Sequence, residues 1–345
     1  MEKIKVAIVG AGNIARSYHL PNYKKRDDVE ITAIADIKIE RAQKVAETFD
    51  IPKYFASIEE MLENAECDYV DICVWNGSHA ACAIAAARAG KAILCEKPMA
   101  LNLEHALEMQ KEIEKAGVPF MLAVPTRYTS QAMLLREMVD KGELGDIYYG
   151  KTAYTRRRGT PTGWFTDTSK SGGGPVIDLG VHCIDRTWFL MGCPKPVRVS
   201  ASTSYAIGDW QTKGILRWQA EASECTAFDT EDSACGVIHF ENGASLVFEV
   251  SWALNAPGEN ITQICGSKAG ARLDPLVIYG ETCGYLSDNK PETGYIDMFY
   301  QEIDHFINCL RTGEKPCSDL EQAVTMQRIL DGIYKSAKLH KEVEI

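Results

Sequence analysis

The chain has 345 residues, 46% hydrophobic and 25% charged, with 37 Lys plus Arg against 48 Asp plus Glu and a formal net charge of −11. That length suits about two domains of ordinary globular composition, with core enough to dispense with disulfide or metal staples. The acidic balance argues against a nucleic-acid partner, and no apolar run approaches the ~20 residues that cross a bilayer.

From Met1 the sequence enters a strand pattern with no signal-peptide stretch, which points to a cytoplasmic setting. Residues 4–9, 31–35, 69–74, 92–95 and 119–124 are short runs apolar on both faces, the pattern of strands in a parallel sheet covered by helices. Amphipathic stretches at 13–23, 40–49, 57–64, 80–89 and 103–116 alternate with them. Ser57 and Glu60 have capping-box spacing, and Gly90 and Gly117 fall where helix-ending glycines belong. This alternation predicts a doubly wound α/β domain over 1–124.

From 125 to 345 the pattern changes. A helix over 131–141 precedes strands at 147–158, 197–205, 234–240 and 244–252, and helices at 296–311 and 320–337 close the chain. Glu241-Asn242-Gly243 between alternating runs is a hairpin signal. Consecutive strands without helices between them predict an α+β domain with a largely antiparallel open sheet, the 320–337 helix packing back on the first domain. Twelve cysteines include no Cys-x-x-Cys pair and lie mostly in apolar strings, so they read as packing, with no metal site.

Three local patterns carry chemistry. Gly10-Ala11-Gly12-Asn13-Ile14-Ala15 follows the first strand and opens the first helix, where backbone N–H groups can hold a pyrophosphate. Asp36 ends the second strand 24 residues after Gly12, at the place of an acid that binds adenosine ribose hydroxyls. A carboxylate there favours NAD over NADP, while the nearby Lys38 leaves NADP open. Glu96-Lys97-Pro98 follows the fourth strand, at the sheet edge where open α/β sheets bind ligands. A lysine there can exchange a proton with a substrate oxygen if its pKa of about 10.4 is lowered. Finally, Gly172-Gly173-Gly174-Pro175 opens a helix over 175–191 in which Asp178, His182 and Asp185 are spaced i, i+4 and i+7 on one stripe.

Together Gly10-x-Gly12-x-x-Ala15, Asp36, Glu96-Lys97-Pro98 and Asp178-x-x-x-His182 resemble the glucose–fructose oxidoreductase/inositol dehydrogenase (Gfo/Idh/MocA) family, over nearly the whole chain. The resemblance implies an NAD(P)-binding Rossmann domain and a substrate-binding, oligomerising second domain. It also implies dehydrogenase activity on a secondary alcohol or ketone of a sugar, cyclitol or related polyol, in a homo-oligomer, dimer or tetramer. It assigns Lys97 and His182 to proton exchange and Asp178 to orienting substrate or His182. Gly10, Gly12, Asn13, Ile14, Asp36, Glu96 and Lys97 fall at cofactor positions, as do Asn76 and His79 of an Asn-x-x-His element. Val74-Trp75 replaces that element's usual Thr-Pro, and Trp75 either stacks on the cofactor or covers the loop. Arg127 and Tyr128 take a polar–aromatic position toward substrate.

Arg156, Arg157 and Arg158 with Trp164 fit two readings: a sugar-binding cleft rim, or a solvated strand end with Trp164 in the core. Two other functions stay open at this stage, an NAD-dependent glycosidase working by transient oxidation and elimination, and a non-catalytic dinucleotide-binding regulator.

Overall fold

A computed structural model describes residues 2–215 and 228–345, which divide into two compact units. The first comprises Met1–Pro125 and Phe299–Gln327, the second Thr126–Met298 and Arg328–Ile345.

In the first unit β1 (Ile4–Val9), β2 (Val29–Ala35), β3 (Tyr54–Phe55), β4 (Tyr69–Ile72), β5 (Ala92–Glu96) and β6 (Phe120–Ala123) form one sheet of order β3-β2-β1-β4-β5-β6. Every pairing is parallel. Strand side chains alternate faces, so Ala7 and Val9 of β1 enter one apolar core and Val6 and Ile8 the other. Residues from the end of the chain complete both cores: Ala323 and Val324 in the first, Ile303, Phe306 and Ile307 in the second.

The predicted helices form at Ile39–Phe49, Ile58–Asn64, His79–Arg88 and Leu103–Ala116. Ser57 caps its helix by accepting the Glu60 N–H at 3.2 Å, while Glu60 reaches back to the Ala56 N–H. Gly117 ends its helix in a left-handed conformation at φ +65°. The first helix carries a π-helical turn at Ala15–His19 before continuing at Leu20–Lys24.

The second unit holds a nine-stranded sheet: β7 (Ile147–Thr155), β8 (Pro196–Ser204), β9 (Ser233–Phe240), β10 (Ser245–Ser251), β11 (Glu259–Gly266), β12 (Gly270–Leu273), β13 (Val277–Thr282), β14 (Tyr285–Asn289) and β15 (Val343–Glu344). Its order is β14-β13-β12-β11-β7-β10-β9-β8-β15, antiparallel except for the parallel β7–β10 pair. The Asn242-Gly243 turn joins β9 and β10 as expected, with Gly243 at φ +86°. The sequence reading lacked β3, β11 to β15, and the π-helical turn Val176–Gly180 that precedes the helix Val181–Leu190.

Of the cysteines, eleven are described and all are free, six of them buried; Cys225 lies outside the described residues. No helix among the described residues is long and apolar enough to cross a membrane.

Candidate active site

The first unit's strand order reverses between β1 and β4, a position at which open α/β sheets bind dinucleotides. Gly10 leaves β1 at φ +98°, and its N–H donates to Ala35 O at 2.7 Å. A Cβ there would lie 2.4 Å from Cys73 O, so both the conformation and the packing demand glycine. Gly12 differs: a Cβ added to it would meet nothing within 4 Å, which leaves backbone open beside the helix start. The first helical N–H groups have no carbonyl partner within their own helix and suit an anion.

Asp36 is buried at the end of β2. Its carboxylate accepts the Ala11 N–H at 2.9 Å and the Lys38 N–H at 2.8 Å, and pairs with Arg41 at 2.9 and 2.7 Å. It therefore ties the glycine turn to the β2 loop; the open Gly12 backbone and helix start fit a dinucleotide pyrophosphate, and ribose hydroxyls would take the place of Arg41 on the carboxylate. Arg41, five residues on, is the cation that engages this acid; Lys38 is exposed.

Lys97 stands half-buried after β5, and the buried Glu96 accepts its backbone N–H at 3.1 Å. His79 does not fit the role of cofactor contact. It is fully buried, with Nδ1 2.7 Å from Pro98 O and Nε2 3.0 Å from Val74 O, so its ring braces the loops after β4 and β5. Burial holds that ring below its usual pKa, against the pull of the two carbonyls. Trp75 is exposed and its indole N–H donates to Ser78 Oγ; Asn76 is buried at the head of the short turn Asn76–Ser78.

His19, Asp71 and Cys73 bring three potential metal-ligating atoms within 4.8 Å of one another. A direct 2.8 Å contact joins His19 Nδ1 to Asp71 Oδ2, and burial pushes the Cys73 thiol far up, so the trio reads as a hydrogen-bonded cluster.

In the second unit the helix after Gly172–174 starts against a buried acid. Glu231 accepts the Gly174 N–H at 2.9 Å, the Val176 N–H at 3.1 Å and the Tyr334 hydroxyl at 2.8 Å. Burial raises its carboxyl and these donors oppose the rise. Asp178 is half-buried and accepts the Trp252 indole N–H at 2.9 Å; His182 is half-buried one turn later.

Asp185 does not share their setting. It is buried in a bidentate pair with Arg127 at 2.7 and 2.6 Å. The single polar stripe read from i, i+4, i+7 spacing assumed an α-helix, and the π-helical turn breaks that register. The same pair corrects Arg127, whose guanidinium, 1% exposed, holds a helix in place of a substrate and lies against the Trp188 and Phe189 rings. Tyr128 is buried beside it in sequence.

Trp164 is half-buried and stacks on Phe165 with ring centroids 4.0 Å apart. Arg156 lies over the Tyr154 ring, Arg157 is exposed, and Arg158 bonds to Asn255 and Thr212. Sequence reasoning missed Glu231 and Trp252, the groups that anchor the Asp178 helix. Neither carries a local signal, being more than fifty residues away in the chain.

Comparison with known proteins agrees with this fold. Residues 4–124 match the model of an oxidoreductase family with an NAD-binding Rossmann fold, and residues 133–272 match the GFO/IDH/MocA C-terminal domain. A D-glucoside 3-dehydrogenase of Escherichia coli is 33% identical, over 99% of this chain and 97% of its own. A myo-inositol 2-dehydrogenase of Thermotoga maritima is 26% identical, over 91% of this chain and 90% of its own. The fold matches that of a levoglucosan dehydrogenase solved with NADH and L-sorbose, with TM-score 0.87, 22% identity, and coverage of 100% and 99%. The chain belongs to the GFO/IDH/MocA family of NAD-binding oxidoreductases.

Proposed function

We propose that the chain oxidises or reduces a secondary alcohol or ketone of a sugar, cyclitol or related polyol, with Lys97 and His182 exchanging the hydroxyl proton and Asp178 orienting substrate or His182. The observation that carries the cofactor half is the buried Asp36 carboxylate fixed beside the open Gly12 backbone, which suits the ribose hydroxyls and pyrophosphate of NAD. Gly10, Gly12, Asn13 and Ile14 would hold the pyrophosphate; Trp75, Asn76, Glu96 and Lys97 would line the nicotinamide end. Bound NAD supplies the hydride acceptor.

In the oxidising direction the substrate hydroxyl O–H breaks as its proton passes to an unprotonated Lys97 or His182. The C–H electron pair departs with the hydride and a carbonyl forms. Asp178, fixed by the Trp252 indole N–H, is proposed to orient a substrate hydroxyl or His182. Tyr128 and Trp164 complete the proposed substrate wall.

The substrate class follows the relatives, whose names include a D-glucoside dehydrogenase, a myo-inositol dehydrogenase and a D-apiose dehydrogenase. We place the protein in the cytoplasm as a homo-oligomer, with its first unit as the cofactor half and its second as the substrate half. The test is a panel of D-glucosides, aldoses and inositols with NAD and NADP, followed by the absorbance of reduced nicotinamide. Turnover with NAD on a polyol, abolished in Lys97→Ala with NADH binding retained, is expected. Full turnover by Lys97→Ala would remove Lys97 from the chemistry. Hydrolysis of aryl glycosides without net reduced nicotinamide would select the oxidation–elimination glycosidase instead.

A further inference from the structure

The first unit buries a cluster of titratable groups that reaches the proposed cofactor site only through Glu96. His19, on the first helix, is fully buried between Asp71 of β4 and Glu96 at the end of β5. Its Nδ1 lies 2.8 Å from Asp71 Oδ2 and its Nε2 lies 3.0 Å from Glu96 Oε1. Tyr23 donates its hydroxyl to the same Asp71 oxygen at 2.9 Å, and the Cys73 thiol donates to the other at 3.5 Å. The second Glu96 oxygen accepts the Lys97 N–H. Tyr69 of β4 and Glu302 of the Met298–Thr312 helix close the cluster, both fully buried.

Carboxylates only accept hydrogen bonds, so both His19 contacts are bonds only when each ring nitrogen carries a proton. Burial is the largest single influence on the ring and disfavours its charge, but the opposing pull led by the Asp71 carboxylate raises the pKa well above the usual value. Burial, and then Glu96, raise the Glu302 carboxyl well above its usual value. The tyrosine and cysteine groups are raised as well and stay neutral. One imidazolium is thus the cation for two carboxylates. Removing it leaves both buried without a counter-charge, a strongly unfavourable arrangement.

We propose that His19 is a positioning residue for Lys97: by bridging Asp71 and Glu96 it fixes the carboxylate that holds the Lys97 backbone, and so fixes how the lysine leaves β5. The inference rests on the reading of Lys97 as a proton-exchanging group. Two substitutions separate the two links. Gln places an amide N–H about where the Nε2 proton points toward Glu96, whereas Asn reaches only as far as Nδ1 and keeps the Asp71 link.

The experiment uses the full chain with NAD and methyl β-D-glucopyranoside for turnover. Independently of turnover, the Lys97 backbone amide resonance is followed in ¹⁵N-labelled protein. His19→Asn is expected to lower kcat about tenfold or more while leaving KM for NAD within about twofold, and to shift the Lys97 amide. His19→Gln should recover most of both. In a Glu96→Gln background, His19→Asn should add no further loss, because it acts through Glu96.

A merely structural histidine would lower Tm alike in both variants and leave kcat per folded molecule and the Lys97 resonance unmoved; that result, or additivity with Glu96→Gln, overturns the proposal. If the glucoside is not turned over, the resonance alone decides. Full turnover by Lys97→Ala would instead overturn the reading of Lys97 and leave the resonance result standing.

Discussion

Gly10 and Gly12 stand two residues apart under different constraints. A Cβ at Gly10 strikes the Cys73 carbonyl from a positive φ, so Gly10→Ala is expected to destabilise the chain by about 1–3 kcal/mol or more, visible as a lower Tm. At Gly12 the added methyl enters open space, so Gly12→Ala should melt like the parent yet lose NADH binding in a fluorescence titration. In the proposed function Asp36 selects NAD over NADP. Asp36→Ala removes that proposed acceptor for the ribose hydroxyls together with the partner of Arg41. With charged hydrogen bonds worth about 1.5–3 kcal/mol, NADH should bind roughly tenfold or more weakly while NADPH gains on it. His19 gives a pH signature. Unfolded, its ring titrates near pH 6.5, whereas folded it keeps its proton to well above that. The folded state therefore binds more protons through that window, so the imidazole's contribution is full below about pH 6.5 and fades as pH rises toward the folded pKa. The Tm difference between the parent and His19→Asn should shrink from pH 6 to pH 9; a difference that grows would contradict a charged His19. His19 was partly legible, since Ala15, His19 and Tyr23 recur at helical spacing on a buried face. A charge at Asp71 inside the apolar run Tyr69–Ile72 was a second sign that a partner must be buried beside it.

At the scale of elements, the helices carrying the proposed chemistry share a plan: a glycine-bearing turn, a π-helical turn, then a regular helix. In the first unit the helix start is left open; in the second it is closed by Glu231 on Gly174 and Val176. Glu231→Ala would orphan two buried N–H groups and the Tyr334 hydroxyl, costing about 2 kcal/mol or more. It should lower Tm and abolish turnover by loosening the Asp178 and His182 helix, while NADH binding stays near the parental level. Equal loss of NADH binding would show the effect to be global. The parallel strands were legible because burial on both faces leaves mainly apolar runs, unbroken in β6 and interrupted by a single charge in β1 and β4. Strands β13 and β14 were not, because their burial has no alternation: Tyr285 and Leu286, adjacent in sequence, are 78% and 93% exposed. Hydrophobic period cannot reveal a hairpin whose buried residues, Val277 and Ile278 of β13, are adjacent and do not alternate. The π-helical turns left no periodic trace either, since i→i+5 bonding shifts a helix face without changing its composition.

For the whole molecule, the charge of −11 is compatible with binding an anionic dinucleotide because the contacts proposed are backbone N–H groups and one helix start, which act at short range. The larger consequence lies in connectivity. A boundary near residue 125 separates strand–helix alternation from the open sheet, yet the first unit also needs Phe299–Gln327. Ile303, Phe306 and Ile307 are buried in one of its cores, Ala323 and Val324 in the other, and Arg26 pairs with Asp304 at 2.5 Å. Ser318 adds hydrogen bonds to both backbone groups of Leu122 in the edge strand β6. Burying Ile303, Phe306 and Ile307 alone stabilises by roughly 5–9 kcal/mol, comparable to the whole stability of about 5–15 kcal/mol typical of a domain. A fragment ending at residue 125 should therefore show no cooperative thermal transition by circular dichroism and no NADH binding, although it contains Gly10, Gly12, Asp36 and Lys97. Fusing residues 299–327 to it through a flexible linker should restore both. A cooperative melt of the 1–125 fragment alone would mean that the helices from the chain's end cover the sheet without holding it together.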